Sequence, residues 1–348
     1  MDAQIAAILA IDGIATGAIY VLIGLGFVLI FAVTRVIFVP FGDIAAFTAL
    51  TLASLETRHL PGTVGLVIVL AGLASFMEIL AKLRAREGHL IPRTVLCFLV
   101  LPLLPVAAVW LLSGASLAMP LRILLSLALI LPIAPLLDRV AFRPIADGSV
   151  LLLLIVSVAI HFALVGLGLL FFGPEGVRTQ PLSDAVFELG GLTVSAQTLL
   201  IVAASIVLSS LLFLFFEFSL TGKALQATAF NRTGARLVGI RPATTATTAY
   251  LLASVLAGIS GVLIGPATTI FYDSGFLIGL KAFVGAIIGA MASYPMTALG
   301  AVFVGLLESF ASFWSSAFKE VVVFGLLIPV LLWRSLTLTA DTDEGADE

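Results

Sequence analysis

Few residues in this chain are able to do covalent or metal chemistry, and their spacing argues against it. His59, His89 and His161 stand far apart with no HExxH pattern, so no two imidazoles share a helix face around a zinc ion. Cys97 is the single cysteine and lies in an apolar run, which leaves no disulfide or CxxC pair within one chain and reads as a small packing residue. Gly222-Lys223 would end a phosphate-binding loop only if a glycine stood five residues before Gly222, and position 217 is glutamate. The expected catalytic, metal and cofactor-binding sets are therefore empty, and the chain is not expected to be an enzyme. His161, inside an apolar run, reads as a hydrogen-bonded packing residue rather than a ligand.

Charge within apolar segments is a stronger signal, because it is costly in a bilayer. Lys281 and Glu308 fall in two successive apolar segments and are expected to pair between helices rather than to touch a solute. Glu217 ends an apolar segment and is expected to reach toward water, whereas Asp12, near the start of the chain, would meet water or a partner. Lys223, Arg232, Arg236 and Arg241 punctuate TGKALQATAFNRTGARLVGI and the residue after it, in a chain with only 11% charged residues. Residues 223–238 are mostly helix formers, with Ala224, Leu225, Ala227, Ala235 and Leu237 available for a buried side. Gly239 is a natural helix stop, and Arg241-Pro242 opposes continuation. A short helix or helix-turn-helix at a membrane face follows, whose cations suit lipid headgroups and a docked protein equally.

The elements that must position these residues follow from composition. With 61% apolar residues, a mean hydropathy of +1.23 and long runs almost free of charge, the chain is predicted to be all-α, a polytopic transmembrane helical bundle. Runs such as Val150–Phe172 are apolar on every face, which excludes the alternating strands of a membrane barrel. Apolar length and Pro/Gly punctuation place ten or eleven spans at about 5–33, 42–57, 62–81, 95–112, 120–137, 149–172, 196–218, 244–271, 276–292, 297–316 and 320–334. The segments 42–57 and 320–334 are short for spans, and 42–57 and 276–292 are candidates for re-entrant helices, which survive only when packed against protein. MDAQIAAILA lacks the basic region of a signal peptide, so it is expected to be a retained first span. Residues 1–335 then form one transmembrane domain, and the acidic stretch 336–348 is expected to be a solvated tail.

Lysine and arginine set the orientation, since cytoplasmic loops retain them. Lys82, Arg84, Arg86 and Arg93 share one gap, Arg139 and Arg143 a second, and Lys223 to Arg241 a third, with two spans between each pair. All three gaps therefore lie inside, which puts the N-terminus outside and Arg35 inside. The gap 173–195, carrying Glu175, Asp184 and Glu188, is expected to be an exterior loop. Small-residue spacings at Gly13/Gly17, Gly261/Gly265 and Gly285/Gly289 read first as close helix packing and second as pathway lining.

Four ordered stretches resemble the permease subunits of branched-chain amino acid ABC importers of the LivH/LivM type. In the basic loop, Gly222, Lys223, Ala224, Ala227, Asn231, Ala235, Gly239 and Ile240 match the family pattern, with Gln226 where the family often has arginine. The stretch GIATGAIYVLIGLGFVLIFAVTRVI is similar to the family's first span, with Gly13, Gly17, Tyr20, Gly24 and Gly26 in place. DRVAFRP at 138–144 resembles E-R-x-A-(Y/F)-R-P. Residues 279–310 keep Lys281, Ala282, Phe283, Gly289, Pro295, Gly300, Gly305 and Glu308 of the family's Lys-Ala-Phe segment. Where members carry Asn-Phe-Ala-His-Gly-Glu, this chain has Phe38-Val39-Pro40-Phe41-Gly42-Asp43, keeping only a glycine and an acid, and residues 62–118 resemble an inserted helical hairpin.

The resemblance implies an ABC importer permease fold in a bacterial inner membrane, crossing it several times. It implies as partners a second permease, identical or not, two ABC ATPase subunits that hold ATP and magnesium, a periplasmic substrate-binding protein and membrane lipid, with no nucleic acid. It implies that 219–243 is the loop that couples the spans to an ATPase, with Arg232 and Arg236 beside the matched positions, and that Gly42 and Asp43 join the first-span residues in helix packing or a pathway. Cargo would be a branched-chain or related amino acid. Urea or short amides, and a stand-alone secondary transporter for a small polar solute, are the alternatives.

Overall fold

The computed structural model describes residues 3–332 except 85, 87, 88, 90, 113, 116, 190 and 191. The acidic tail 336–348 and the end of the last predicted span lie outside the described residues. The helices are α1 (Ala3–Thr34), α2 (Phe41–Glu56), α3 (Thr63–Arg84), α4 (Ile91–Leu112), α5 (Met119–Ile145), α6 (Val150–Phe172), α7 (Ala196–Phe218), α8 (Leu220–Phe230), α9 (Arg232–Leu237), α10 (Pro242–Ile264), α11 (Ser274–Ile288), α12 (Tyr294–Trp314) and α13 (Lys319–Gly325). Among the described residues, eight of these are long and apolar enough to cross a membrane, while α2, α11 and α13 are shorter. The chain is an all-α multi-pass membrane protein. Where an exterior loop was expected, a small antiparallel hairpin pairs β1 (Val186–Leu189) with β2 (Leu192–Ser195), Val186 opposite Ser195.

The long apolar helix α1 forms the axis, and glycines let its neighbours approach. A Cβ added at Gly17 would lie 2.7 Å from Val302 Cα, and one at Gly13 would lie 2.8 Å from Leu306 Cα, both on α12. Without a hydrophobic driving force between helices in lipid, such contact supplies the dispersion energy that holds them together. Gly24 faces Thr297 on the same helix, and the Phe41 ring lies over Gly26.

Two segments turn back into the bundle. Arg35 takes a left-handed conformation (φ 62°) and donates its N–H to the Phe31 carbonyl at 2.8 Å, ending α1. Residues 36–40 then run inward, with Phe38 packed edge-on against Phe142 and Tyr250, and the Val39 N–H donated to Ser157 Oγ at 2.8 Å. At the other end α10 stops at Ile264, several residues before the predicted limit of 271. Residues after it fold back, with Ile270 and Val177 exchanging two backbone hydrogen bonds of 2.9 Å. Those bonds satisfy irregular backbone that lipid would not tolerate. α1–α2 and α10–α11 thus share one plan in opposite directions. The starts of α2 and α11 meet in the interior, where a Cβ at Gly42 would strike the Gly275 carbonyl and lie 2.8 Å from Gly279 Cα. Fourteen residues of α2 are buried, leaving only Ser54 and Glu56 partly open.

Substitution Gly17→Val is expected to cost about 1–3 kcal/mol through overpacking, read as a lower thermal midpoint of the detergent-solubilised chain. Gly65→Val is expected to leave the midpoint unchanged, since nothing lies within 4 Å of a Cβ there.

Candidate functional site

At one end of the bundle the basic loop forms a capped helix-turn-helix. Ser219 Oγ accepts the Gly222 N–H at 2.8 Å and starts α8. Asn231 gives its N–H to the Ala227 carbonyl at 3.0 Å while its Oδ1 accepts the Gly234 N–H at 2.8 Å, so one residue closes α8 and opens α9. Gly239, at φ 86°, allows the Ile240 N–H to reach the Ala235 carbonyl at 2.9 Å and ends α9. Gly222 lies tight against the backbone of Phe216, and Leu225 and Ala235 are buried, with Ala224 and Ala227 half-buried beside them. The Thr245 hydroxyl donates to Thr228 Oγ1 at 3.2 Å, tying α8 to α10.

Side chains of this unit divide differently from the sequence expectation. Leu237, expected on the buried side, is 85% exposed, because α9 restarts after the Asn231 turn and is only six residues long. Phe230 is 94% exposed, and Arg236 also faces outward. Glu217 is half-exposed and holds Lys223 at 3.2 Å across the α7–α8 corner. Arg232 instead turns inward and, with Thr34, Asp138, Phe142 and Arg143, lines a cavity of about 690 Å³. That cavity also reaches Arg236 and Arg241, so the third basic gap, the 138–144 turn and the end of α1 lie at one face. Arg139 pairs with Glu78 of α3, bringing the first gap to the same end.

The opposite face carries a cavity of about 860 Å³ reached by Asp12, Arg178, Asp184 and Gln197. Arg178 anchors it by donating to the carbonyls of Pro266, at 2.7 Å, and Ala267, at 3.1 Å. Asp12 and the 173–195 segment therefore share this end.

Two polar clusters lie within the bundle. Lys281 of α11 pairs with Glu308 of α12, and Glu308 Oε2 accepts the Tyr20 hydroxyl of α1 at 2.6 Å. Glu320, at the start of α13, lies 3.7 Å from the same ammonium. Four elements converge on one ion pair. The second cluster joins Asp43 of α2 to His161 of α6, with 2.6 Å between Oδ2 and Nδ1 and exposures of 1% and 5%. His161, read from the sequence as a hydrogen-bonded packing residue, stands at the middle of α6 and has its partner in Asp43. The two residues are 118 positions apart, so no linear spacing connects them, and the available signal was an ionisable residue within each of two apolar runs.

A family model described as "Branched-chain amino acid transport system / permease component" matches residues 100–331. The high-affinity branched-chain amino acid transport system permease protein BraD of Pseudomonas aeruginosa is 31% identical over 204 residues, covering 57% of this chain and 66% of that protein. The corresponding LivH of Escherichia coli is 29% identical over 202 residues, covering 56% of this chain and 66% of its own length. The chain thus spans just under two thirds of the length of these curated relatives. No solved structure matches it.

Removing one partner of the buried pair by Lys281→Met is expected to cost about 3–5 kcal/mol, because Glu308 is left without its partner. The double variant Lys281→Met/Glu308→Gln is expected to recover most of that loss. Denaturation of both variants in detergent is the check.

Proposed function

The chain belongs to the family of branched-chain amino acid transport system permease components, and from that membership we propose that it is the membrane-spanning subunit of an ATP-driven importer. In this reading the basic face is cytoplasmic, the Asp12–Arg178 face is exterior, and the membrane is a bacterial inner membrane. A second permease, two ATPases carrying ATP and magnesium, and a periplasmic binding protein complete the assembly. The cargo is a branched-chain or related amino acid, moved by alternating access.

The observation that carries the proposal is the helix-turn-helix at 220–237. It presents Phe230, Leu237 and Val238, all highly exposed, around Arg236, which suits insertion into a partially apolar groove of a partner. Its inner side is held to the spans by Leu225, Ala235 and the Thr228–Thr245 hydrogen bond. A force on Phe230 or Arg236 would therefore move α10 and the 138–144 turn with it. The roles of Gly222, Lys223, Ala224, Ala227, Asn231 and Gly239 are to shape this unit, and Arg232 links it to the Asp138–Arg143 turn.

The Asp43–His161 pair favours a second reading, in which protons drive a stand-alone transporter, since secondary transporters place titratable groups near broken helices at mid-depth. Proteoliposomes separate the two. ATP-dependent uptake requiring the ATPases is expected, and uptake by this chain alone under a proton gradient would overturn the importer. Arg236→Glu is expected to reduce ATPase co-purification about tenfold, the loss of one charge-assisted contact of about 1.5–3 kcal/mol, with the permease still folded.

A further inference from the structure

Between α1, α6 and α11 the bundle holds a cavity of about 360 Å³ walled by Phe27, Phe162, Phe276, Leu280 and Phe283. His161 is the one ionisable group among its described lining residues. Its imidazole is fixed on two sides, by Asp43 at Nδ1 and by the Phe276 ring, stacked at 4.7 Å between centroids and 26° between planes. Asp43 and Phe276 each stand in the first turn of their helix, so His161 lies where the starts of α2 and α11 meet.

This arrangement selects a ligand chemistry. A carboxylate that accepts the Nδ1 proton leaves Nε2 as a hydrogen-bond acceptor for the cavity. Asp43 Oδ1 is buried without a hydrogen-bond partner among the described residues, so no second donor offsets the carboxylate behind the ring. A cationic donor is therefore favoured over an anion. Walls of this apolarity would leave the hydroxyls of a sugar unpaired, whereas an aliphatic side chain loses nothing there. The volume lies at the small end of the roughly 300–1,000 Å³ range of small-molecule sites. Discontinuous helices that meet in mid-membrane are also where transporters hold polar solutes.

We propose that this cavity is a solute subsite: the side chain of an aliphatic α-amino acid lies against Phe27, Phe276, Leu280 and Phe283, and its ammonium group donates a hydrogen bond to His161 Nε2. The identity of the solute rests on the importer reading above, but the site is testable without transport.

In a Cys97→Ser background of the full chain in nanodiscs, Leu280→Cys would be modified by a small methanethiosulfonate reagent. Millimolar L-leucine and leucinamide are expected to slow the modification, and N-acetyl-leucine, which lacks the ammonium group, is not. Adding His161→Phe is expected to raise the leucine concentration needed for half protection about tenfold, the loss of one hydrogen bond to a charged group, and His161→Gln, which keeps an acceptor, about threefold or less. A Leu280→Trp variant, which leaves the Asp43–His161 pair intact, is expected to bind alanine better than leucine in competition against labelling at Phe283→Cys. Labelling indifferent to leucine, slowed equally by N-acetyl-leucine, or slowed only by decanoate would overturn the subsite, the last assigning the cavity to a lipid chain. Protection without any ATP-driven uptake would overturn the importer and leave the subsite standing; uptake without protection would do the reverse.

Discussion

Where Gly42 meets Gly275 and Gly279, two helix starts approach to backbone distance inside the bundle. In hydrocarbon, a helix that begins part-way through the membrane leaves its first amides and the strand leading to it without water, so both must be satisfied by protein. Here the leading strands are held by Ser157 on one side and Val177 on the other. The absence of a side chain at the crossing lets each start be covered by the other. The burial of α2, the position of Asp43 and the placing of Phe276 beside His161 all follow from that crossing.

The two polar clusters have different consequences because of where they sit. Lys281, Glu308 and Tyr20 knit α11, α12 and α1 together, and Glu320 brings in α13. Breaking the ion pair strands a charge in an apolar surrounding, which makes it a structural clasp. Asp43–His161 lies against a cavity and at the junction of two interrupted helices, so the buried imidazole borders open space as well as protein. The basic face adds a third element: a capped helix-turn-helix whose inner side is bonded to α10 and whose outer side is unoccupied by the described chain. Arg232 and Arg236 line the cavity at this face together with Phe142, and Phe142 packs edge-on against Phe38, which leads to the start of α2.

Apolar length was enough to locate most spans, because a membrane helix must satisfy its own backbone and be greasy on every lipid-facing side. The 149–172 and 196–218 limits fall within a residue of the helices, since Ser149 and Ser195 cap their starts. The basic loop was legible too, through its run of helix formers and Gly239, whose backbone freedom acts locally. Residues 265–271 fall within an expected span yet are irregular, because the segment is apolar and short and hydropathy does not distinguish a span from irregular backbone buried in protein. The hairpin at 186–195 was missed for a related reason: it is a two-stranded unit with weak periodicity beside a strong membrane signal.

By itself the sequence determined what acts through composition and local spacing: an all-helical membrane chain, its two faces by charge, the capped basic loop, and the four stretches that resemble one family of permeases. Only the tertiary structure decided which distant residues share a site. His161 and Asp43 meet across 118 positions, Lys281 finds Tyr20 through Glu308, and Arg232 turns inward while Leu237 turns out. The physical reason is that helix faces are chosen by packing against other helices, and in a chain that is apolar all round no linear pattern marks which face that will be.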